Sequence, residues 1–388
     1  MNTKEKVHAR ANVLTRWLLE AALPLWSING QDECGGFYDE LDLTGKPVTT
    51  ERRCYVSARQ LYVFSKATKL GWASTAEADH AHHFLISRFR KPDGLFARTY
   101  KHSSGSVDPD FDIYDQAFVV FALATAAQSP LSVGDAERLA REILFRLRER
   151  WAHPMGGFEE GNPRILPLRA NPHMHLLEAA LEWTTVKGAV VEPWAALADE
   201  LVQLCVARMI DPSTGALHEF FDGEWRFAPG DMGRIVEPGH QFEWAWLLDR
   251  WASWRERPDV AAIARKMCFL AEERGIEGGV AINELWDDLT VKDRGSLLWP
   301  QTERIKAWSR IAAEERTAPE QERSLDRVLA AIDGLEVFLK TPIPGLWYKQ
   351  RDALGHYLAE SSPARLLYHI VCAIESLVEL NIRLSTAG

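Results

Sequence analysis

The sequence has few cysteines, and no two of them are spaced as a CxxC pair. The five cysteines are odd in number and widely scattered, which favours unpaired thiols in a reducing cytoplasm and gives no support to a cysteine zinc site. The chain also lacks an apolar run long enough to span a membrane, and no apolar block of the length typical of signal peptides follows its first residues. We therefore expect a soluble, cytoplasmic protein with no membrane partner.

Positive charge is scarce: 45 Lys and Arg are outnumbered by 55 Asp and Glu, which gives a net charge of −10. This sign does not suit binding to the phosphate backbone of nucleic acid, so a small neutral ligand is the better expectation. The sequence also lacks GxSxG, Walker and GxGxxG motifs. Its 15 tryptophans serve either as core residues or as stacking surfaces for a ligand.

Patterns typical of β-strands are nearly absent, whereas one glycine turn signal recurs six times at intervals of about sixty residues. The signal lies at Gly36, Gly94, Gly157, Gly215, Gly279 and Gly345. Each interval fits two helices, because apolar residues within it recur at spacings of three and four. The predicted helices cover residues 4–26, 52–70, 76–90, 114–127, 135–151, 172–183, 193–209, 239–254, 258–274, 300–315, 320–340 and 363–382.

These twelve helices form six hairpins if the first helix pairs with the last. The result is an all-α (α/α)6 toroid, with an inner ring, an outer ring and a pocket on the axis. Such a ring forms one unit, so we predict a single catalytic domain over residues 1–388. Short β-hairpins are expected in the connections, and the two long connections at residues 98–112 and 282–298 are predicted to be mobile loops over one rim.

Reactive side chains lie near the start of the first helix in every pair. They are Arg59, Tyr114 with Asp115, His175 with Glu178, His240 with Glu243, Glu303 with Arg304, and His369. Capping explains acidic residues at these positions but not histidines, because a protonated imidazole is disfavoured at the positive end of a helix. Since equivalent ends of the inner helices face one rim, we predict that these groups meet around the axis.

Two of these histidines have a glutamate three residues later, which is a neighbouring position on a helix: His175 with Glu178, and His240 with Glu243. Such a carboxylate orients the imidazole and raises its basicity, although an isolated pair is more often a core hydrogen bond. With His173 the same residues offer enough ligands for zinc or manganese. His173 and His175 point to different faces of a helix, however, so we predict no metal.

A carboxylate pair across the ring suggests a second class of enzyme. Glu243 and Glu303 could serve as the two acids of a glycoside hydrolase, a class that also uses this toroid. Glycosidic bond cleavage rarely involves several attendant histidines, so the hydrolase is kept as an alternative.

Six motifs are distributed along nearly the whole chain. They are Ser-Ala-Arg (57–59), Asp-Ile-Tyr-Asp-Gln-Ala-Phe (112–118), Asn-Pro-His-Met-His-Leu-Leu-Glu-Ala (171–179), Glu-Pro-Gly-His-Gln-Phe-Glu-Trp (237–244), Trp-Pro-Gln-Thr-Glu (299–303) and Tyr-His (368–369). Together they resemble the N-acylglucosamine 2-epimerase superfamily of (α/α)6 sugar epimerases and isomerases. The motifs at 237–244 and 299–303 look most like those of bacterial mannose isomerases. Cellobiose 2-epimerases share the histidines but differ around them, and the nucleotide-requiring N-acylglucosamine epimerases match less well.

The resemblance implies roles for the central residues. His240 and His369 resemble the acid/base histidines of the family, and Glu243 resembles the group that supports His240. Arg59 and His175 resemble the groups that hold the oxygens on C1 and C2 of the sugar.

The resemblance also places Tyr114 and Glu303 in the lining of the pocket, while Arg234 is similar to a loop arginine used by the isomerases. Trp299 and Trp347 are candidates to stack on the sugar, with core packing as the alternative for each.

We therefore expect an isomerase that interconverts a free aldose and its ketose through a cis-enediol, either D-mannose and D-fructose or D-lyxose and D-xylulose. An imidazole suits the proton transfer because its pKa is about 6.5, and Arg59 supplies the cation that the enediolate needs. His369 would move the proton between C2 and C1, while His240 would open the ring. The alternative reaction is that of a 2-epimerase. We expect no cofactor. The protein is a candidate homo-oligomer, but the sequence does not specify an oligomeric state.

Overall fold

The computed structural model describes residues 1–48, 51–101, 104–108, 110–131, 134–358 and 361–386. Within these ranges the chain forms twelve helices. The first, α1, covers Thr3–Trp17 and continues through a π-helical turn at Leu18–Ala22 into Leu23–Ile28. Two others end in π-turns: α3 comprises Ala76–Phe84 and Leu85–Phe89, and α7 comprises Glu192–Leu204 and Cys205–Met209. The remaining helices are α2 (Cys54–Leu70), α4 (Ile113–Ala127), α5 (Ala136–Trp151), α6 (Ala170–Trp183), α8 (Pro238–Arg255), α9 (Pro258–Arg274), α10 (Trp299–Glu314), α11 (Ala318–Leu339) and α12 (Arg365–Thr386).

The even-numbered helices form an inner ring, in which each helix contacts the next and α12 contacts α2. The odd-numbered helices pack outside, with α1 against α11 and α12. Burial follows this division. Inner helix α4 is buried on all its faces, whereas outer helix α5 buries one stripe that includes Leu139, Ile143 and Leu147. The predicted all-α (α/α)6 toroid is confirmed, including the pairing of the first helix with the last.

The connections carry fifteen short strands in six small antiparallel sheets within the described ranges. They are Glu40–Leu41, Pro47–Val48, Arg52–Arg53, Thr99–Lys101, Ser106–Asp108, Leu168–Arg169, Phe220–Phe221, Ile235–Val236, Ile276–Glu277, Val280–Ala281, Glu284–Trp286, Val291–Asp293, Ser296–Leu297, Gln350–Arg351 and Ser362–Pro363. The expectation of short hairpins in the loops is therefore confirmed.

The two long connections are more ordered than expected. Residues 282–298 do not form an open loop, because Glu284–Trp286 pairs on one side with Val291–Asp293 and on the other with Ile235–Val236. In the connection at 98–112, Thr99–Lys101 pairs with Ser106–Asp108. The parts of that prediction at residues 102, 103 and 109 lie outside the described residues.

The recurring glycine marks the turn between an outer helix and the next inner helix. All six turn glycines have a positive φ, for example 74° at Gly36, a conformation that favours glycine. A glutamine of the following inner helix braces the turn in three repeats: the Gln116 amide accepts from Phe96 N and donates to Phe96 O, both at 2.9 Å. Gln241 and Gln301 make the same two contacts to their turns. The turns thus fix where each inner helix begins.

Trp347 belongs to the core and not to a sugar-binding surface. Its side chain has no exposed area, and its ring stacks on Trp26 with centroids 5.2 Å apart. This contact joins α1 to the chain before α12 and helps to close the ring. Separately, none of the described helices combines the length and apolar character needed to cross a membrane.

A buried ion pair joins α10 to the outer helix α9. The Arg304 guanidinium donates to both carboxylate oxygens of Glu272, at 2.8 and 2.6 Å, and Trp308 Nε1 donates to the same carboxylate at 2.9 Å. Both ionic side chains are less than 5% exposed. Arg304 follows Glu303 in the sequence but points away from the axis, so it serves packing between the rings.

We predict that Glu272→Gln destabilises the protein by about 3 kcal/mol or more, because it leaves the buried Arg304 charge without its carboxylate. Urea unfolding followed by circular dichroism measures the loss. Glu224→Gln is the matched control, since it breaks the exposed contact between Arg226 and Glu224 and should change stability by less than about 1 kcal/mol. Equal effects of the two substitutions would contradict the assignment.

Candidate active site

A cavity of about 290 Å³ opens at the rim where the inner helices begin. Seven of the predicted site residues line it: Arg59, Tyr114, His175, His240, Glu243, Trp299 and His369. They come from all six inner helices. The expectation that side chains from these helices meet around the axis is therefore confirmed in the structure.

His240 lies between carboxylates. Its Nδ1 is 2.9 Å from Glu219 Oε2 and 3.3 Å from Glu237 Oε2, and its Nε2 is 3.1 Å from the Asn171 side-chain amide. Burial lowers the pKa of the imidazole, but the charges of Glu219 and Glu237 outweigh burial and raise this pKa to about 10. His240 is therefore protonated at neutral pH and suited to act as an acid.

The partner of His240 differs from the one predicted. Spacing and family resemblance pointed to Glu243, whereas Nδ1 bonds to Glu219, in the segment before α8. Glu243 instead lies 3.8 Å from the Lys306 ammonium. Glu243 does not bond to His240 because its side chain turns towards the axis below the cavity. There, burial and the charge of Glu303 raise the pKa of Glu243 well above the usual range.

His369 has the opposite electrostatic environment. Its Nδ1 is 2.9 Å from Glu303 Oε1, and the ring is nearly buried. Burial, followed by the charges of Arg59 and Lys306, lowers its pKa well below the usual value. A neutral imidazole whose Nδ1–H donates to Glu303 leaves the Nε2 lone pair free, so His369 is suited to act as a base.

The predicted contact between His175 and Glu178 is present, with Nδ1 3.1 Å from Glu178 Oε2. Burial lowers the pKa of His175 to about 4, so this ring is neutral. The Tyr368 hydroxyl donates to the same Glu178 oxygen at 2.5 Å. His173 faces the other way and accepts from Phe158 N at 2.9 Å, which makes it the brace of the third turn, in place of a glutamine.

Arg59 supplies a fixed positive charge at the cavity. Its guanidinium donates to the Tyr114 hydroxyl at 2.7 Å and to the Arg365 carbonyl at 3.1 Å, and it lies over the Phe118 ring at 4.0 Å. The side chain is 2% exposed. These contacts hold the cation in one position, as stabilisation of a developing oxyanion requires.

The Trp299 ring lies close to both acid/base candidates. Its centroid is 4.8 Å from that of His240 and 6.0 Å from that of His369. Both imidazoles therefore face one shared cavity across a single aromatic surface, which is the arrangement that proton transfer to and from one sugar requires.

Three predicted residues do not line the cavity. Glu178 and Glu303 lie below it as hydrogen-bond partners of histidines. Arg234, at the end of the 3₁₀ turn Gly230–Arg234, bonds to Asp287 at 2.9 Å and lies over the Trp286 ring. Arg234 is therefore not among the residues that line the cavity.

Among the residues that the structure describes, three groups of histidine and carboxylate side chains come close enough together to be considered as metal sites: His175 with Glu178 and Glu243, Glu219 with Glu237 and His240, and Glu243 with Glu303 and His369. In each group the imidazole Nδ1 already lies at hydrogen-bond distance from a carboxylate. In the third group the Lys306 ammonium is 2.5 Å from Glu303, so a cation is already in place. The donor atoms of these groups are thus already engaged in hydrogen bonds and ion pairs, so the groups fit a metal poorly.

Sequence reasoning missed several residues at the cavity. Asn171 and Glu237 stood inside motifs that resembled the family but were given no role, and Lys349 and Arg365 also line the cavity. Glu219 had no detectable signal, because it is 21 residues from His240 and lies outside the helices.

The fold and site define a toroidal enzyme of the sugar epimerase and isomerase class. The profile of the N-acylglucosamine 2-epimerase (GlcNAc 2-epimerase) family matches residues 36–373. The chain belongs to this family.

Among curated relatives, a mannose-6-phosphate isomerase of Rhizobium meliloti (strain 1021) is 41% identical over 381 residues, which are 96% of this chain and 97% of the relative. A cellobiose 2-epimerase of Ruminococcus albus (strain ATCC 27210) is 26% identical over 328 residues, 74% of this chain and 77% of the relative. A solved D-mannose isomerase has a TM-score of 0.83 at 19% identity, over 95% and 97% of the two chains. This last likeness concerns the fold alone.

We predict that Glu219→Gln lowers the pKa of His240 from about 10 towards the ordinary value, because it removes the largest of the charges that raise it. Titration of ¹³C-labelled histidine by NMR measures this pKa. Glu237→Gln is the control and should have a smaller effect, since burial raises the pKa of Glu237 itself to about 7 and so reduces its charge.

The raised pKa of His240 also determines how the stability of the folded protein changes with pH. The folded-state pKa of His240 exceeds the unfolded value of about 6.5, so the contribution to stability is complete below that pH. It is lost as the pH rises towards 10. A His240 titration that is unchanged in Glu219→Gln would contradict the assigned pairing.

Proposed function

We propose that this protein is an aldose–ketose isomerase that acts on a free monosaccharide, with D-mannose and D-fructose as the first pair to test and D-lyxose and D-xylulose as the second. The observation that carries the proposal is the shared cavity, where His240 and His369 face the same space with opposite protonation preferences beside the fixed Arg59 cation. Environments that push two titratable groups apart in this way separate an acid from a base.

The reaction then follows from the assigned states. His240, as an imidazolium, donates a proton to the ring oxygen and takes up the O1 proton as the ring opens, which restores the imidazolium. His369 Nε2 removes the proton from C2, and negative charge gathers on the enediolate oxygens beside Arg59. His240 then donates to O1 and takes the proton from O2, and His369 delivers its proton to C1 to give the ketose. Arg59 and His175 would hold the oxygens on C1 and C2, Tyr114 would line the pocket, and Trp299 would pack against the sugar.

Glu178, Glu243 and Glu303 act from below the sugar in this scheme. Glu178 fixes the ring of His175 and Glu303 fixes the ring of His369. Glu243 touches the cavity from the axis, and the sign of its shift favours a neutral carboxyl that can donate a hydrogen bond to a sugar hydroxyl.

Arg234 stays a candidate sugar contact. To reach the cavity, it requires a change in the conformation of the loop that carries it. Its contacts with Asp287 and Trp286 would have to break in that change.

A 2-epimerase is the alternative within the same chemistry. If the proton returns to the opposite face of C2, mannose gives glucose in place of fructose. The cellobiose 2-epimerase relatives favour keeping this outcome in the test.

A phosphorylated sugar is a second candidate substrate. The sequence offered no glycine loop or lysine-rich segment for a phosphate, but Lys349 and Arg365 both line the cavity. The 41% identical relative is named for mannose 6-phosphate. Both the free and the phosphorylated sugar therefore belong in the substrate panel.

The deciding experiment is proton NMR of the protein with D-mannose, D-lyxose, D-glucose and mannose 6-phosphate. Fructose as the first product from mannose supports the isomerase, and glucose alone contradicts it in favour of the epimerase. Turnover of mannose 6-phosphate without turnover of mannose assigns the phosphorylated substrate. Release of reducing sugar from an oligosaccharide would favour the hydrolase.

We predict that His240→Asn and His369→Asn each lower kcat by about 10²-fold or more, because each removes a proton-transfer group. The product assay measures turnover, and circular dichroism checks the fold. His173→Asn is the matched control: it is also a buried histidine at the start of an inner helix, but it braces a turn. Near-normal turnover in either variant would remove that histidine from the mechanism.

A further inference from the structure

Below the cavity, three buried carboxylates of the inner ring surround one buried ammonium. Glu178, Glu243 and Glu303 are each at most 1% exposed, and atoms of Glu243, Glu303 and His369 lie within 4.8 Å of one another. The Lys306 Nζ is 2.5 Å from Glu303 Oε2 and 3.8 Å from Glu243 Oε1, and this side chain has no exposed area. We call these four residues the hub.

We infer that Lys306 is a positioning residue that keeps Glu303 ionised. Through Glu303 it holds His369 in the tautomer that carries its proton on Nδ1 and leaves Nε2 unprotonated. The inference rests on the proposed function, because it assigns the base of that reaction. Lys306 does not line the cavity, so it acts on the sugar only through Glu303 and His369.

The geometry gives Lys306 one stable position. It lies one helical turn after Glu303 on α10, where residues three apart are neighbours. Its ammonium also lies 3.9 Å from the centroid of the Trp246 ring, which stabilises a cation on its face. The two oxygens of Glu303 are therefore divided between two partners: Oε2 faces the ammonium and Oε1 faces His369 Nδ1.

The charges around this pair come from every inner helix that packs on it. The charged and titratable groups that face His369 and Lys306 are Arg59, His175, Glu178, Glu243, Glu303 and Cys372. Burial raises the pKa of Glu303, and Lys306 is the largest influence that opposes burial. Burial also raises the pKa of Glu178, but His175 and Lys306 outweigh it and lower that pKa to about 2.

Loss of the ammonium would change the direction of one hydrogen bond. Without it, burial favours a proton on Glu303, taken up from solvent, and a protonated Oε1 donates to His369 Nδ1. The imidazole then carries its own single proton on Nε2. No charge is created on the ring, but the lone pair that must accept the C2 proton is lost.

Lys306→Met tests the inference because it keeps the aliphatic stem and removes the charge. We expect kcat to fall by about 10²-fold, as for loss of a general base, with KM changed less than about threefold. The control is Lys66→Met, which also removes a buried ammonium of the inner ring, one that pairs with Glu182 and Glu375 away from the histidines. The control should keep kcat within about threefold of the wild type, so an equal loss in both variants would overturn the inference.

A spectroscopic readout separates positioning from general damage. In ¹⁵N-histidine spectra, with His369→Asn used for assignment, the wild type should show an unprotonated Nε2 at His369 and Lys306→Met a protonated one. An unchanged tautomer in Lys306→Met overturns the inference whatever its activity.

The double variant Glu303→Gln with Lys306→Met covers the case in which a single substitution misfolds, since it leaves neither charge of the pair. If Lys306 acts through Glu303, the double variant loses no more kcat than Glu303→Gln alone, within about threefold. If the fold loss of kcat in the double variant equals the product of the losses in the two single variants, the inference is overturned.

Two readouts distinguish failure of the inference about Lys306 from failure of the proposed function. Exchange of the C2 proton with D₂O reports the base in an isomerase and in an epimerase alike, and the tautomer is read without any substrate. An epimerase product with the expected tautomer change would therefore reject the proposed isomerisation and support the role of Lys306.

Discussion

The contact on which the site depends is a hydrogen bond between the Nδ1 of a buried imidazole and a carboxylate. It occurs at His175, at His240 and at His369, each time with a different glutamate and at 2.9 to 3.1 Å. This contact fixes the orientation of each ring, and all three rings line the cavity, where Nε2 of His240 also meets the Asn171 side chain. The rigid inner ring of helices gives these contacts their precision, since each partner is fixed by its own backbone.

The same contact leads to different protonation states because the surroundings differ. His240 has a second carboxylate at 3.3 Å, which favours the imidazolium. His369 faces the positive charges of Arg59 and Lys306 and is buried, which favours the neutral ring. One cavity therefore holds two histidines with opposite protonation preferences, and the difference comes from their surroundings, not from the residue type.

Charged groups at the centre of a protein are tolerated only when they are paired, and the toroid supplies the pairing. The hub below the cavity combines carboxylates with Lys306, and further along the axis Lys66 bonds Glu182 and Glu375. The outer helices and the braced turns surround these pairs with apolar packing. The stability of the ring thus permits a polar axis that would destabilise a smaller core.

The sequence by itself determined the ring and the identity of most groups at its axis. Helical periodicity and the repeated glycine turn are local signals, so they predicted twelve helices, and the neighbours His175 and Glu178 were found because a helix places residues three apart side by side. Only the tertiary structure decided which carboxylate each of the other histidines meets, because Glu219 and Glu303 are 21 and 66 residues away from theirs. Pairing at such separations depends on how whole helices and loops are arranged around the ring, and no local pattern in the chain records that arrangement.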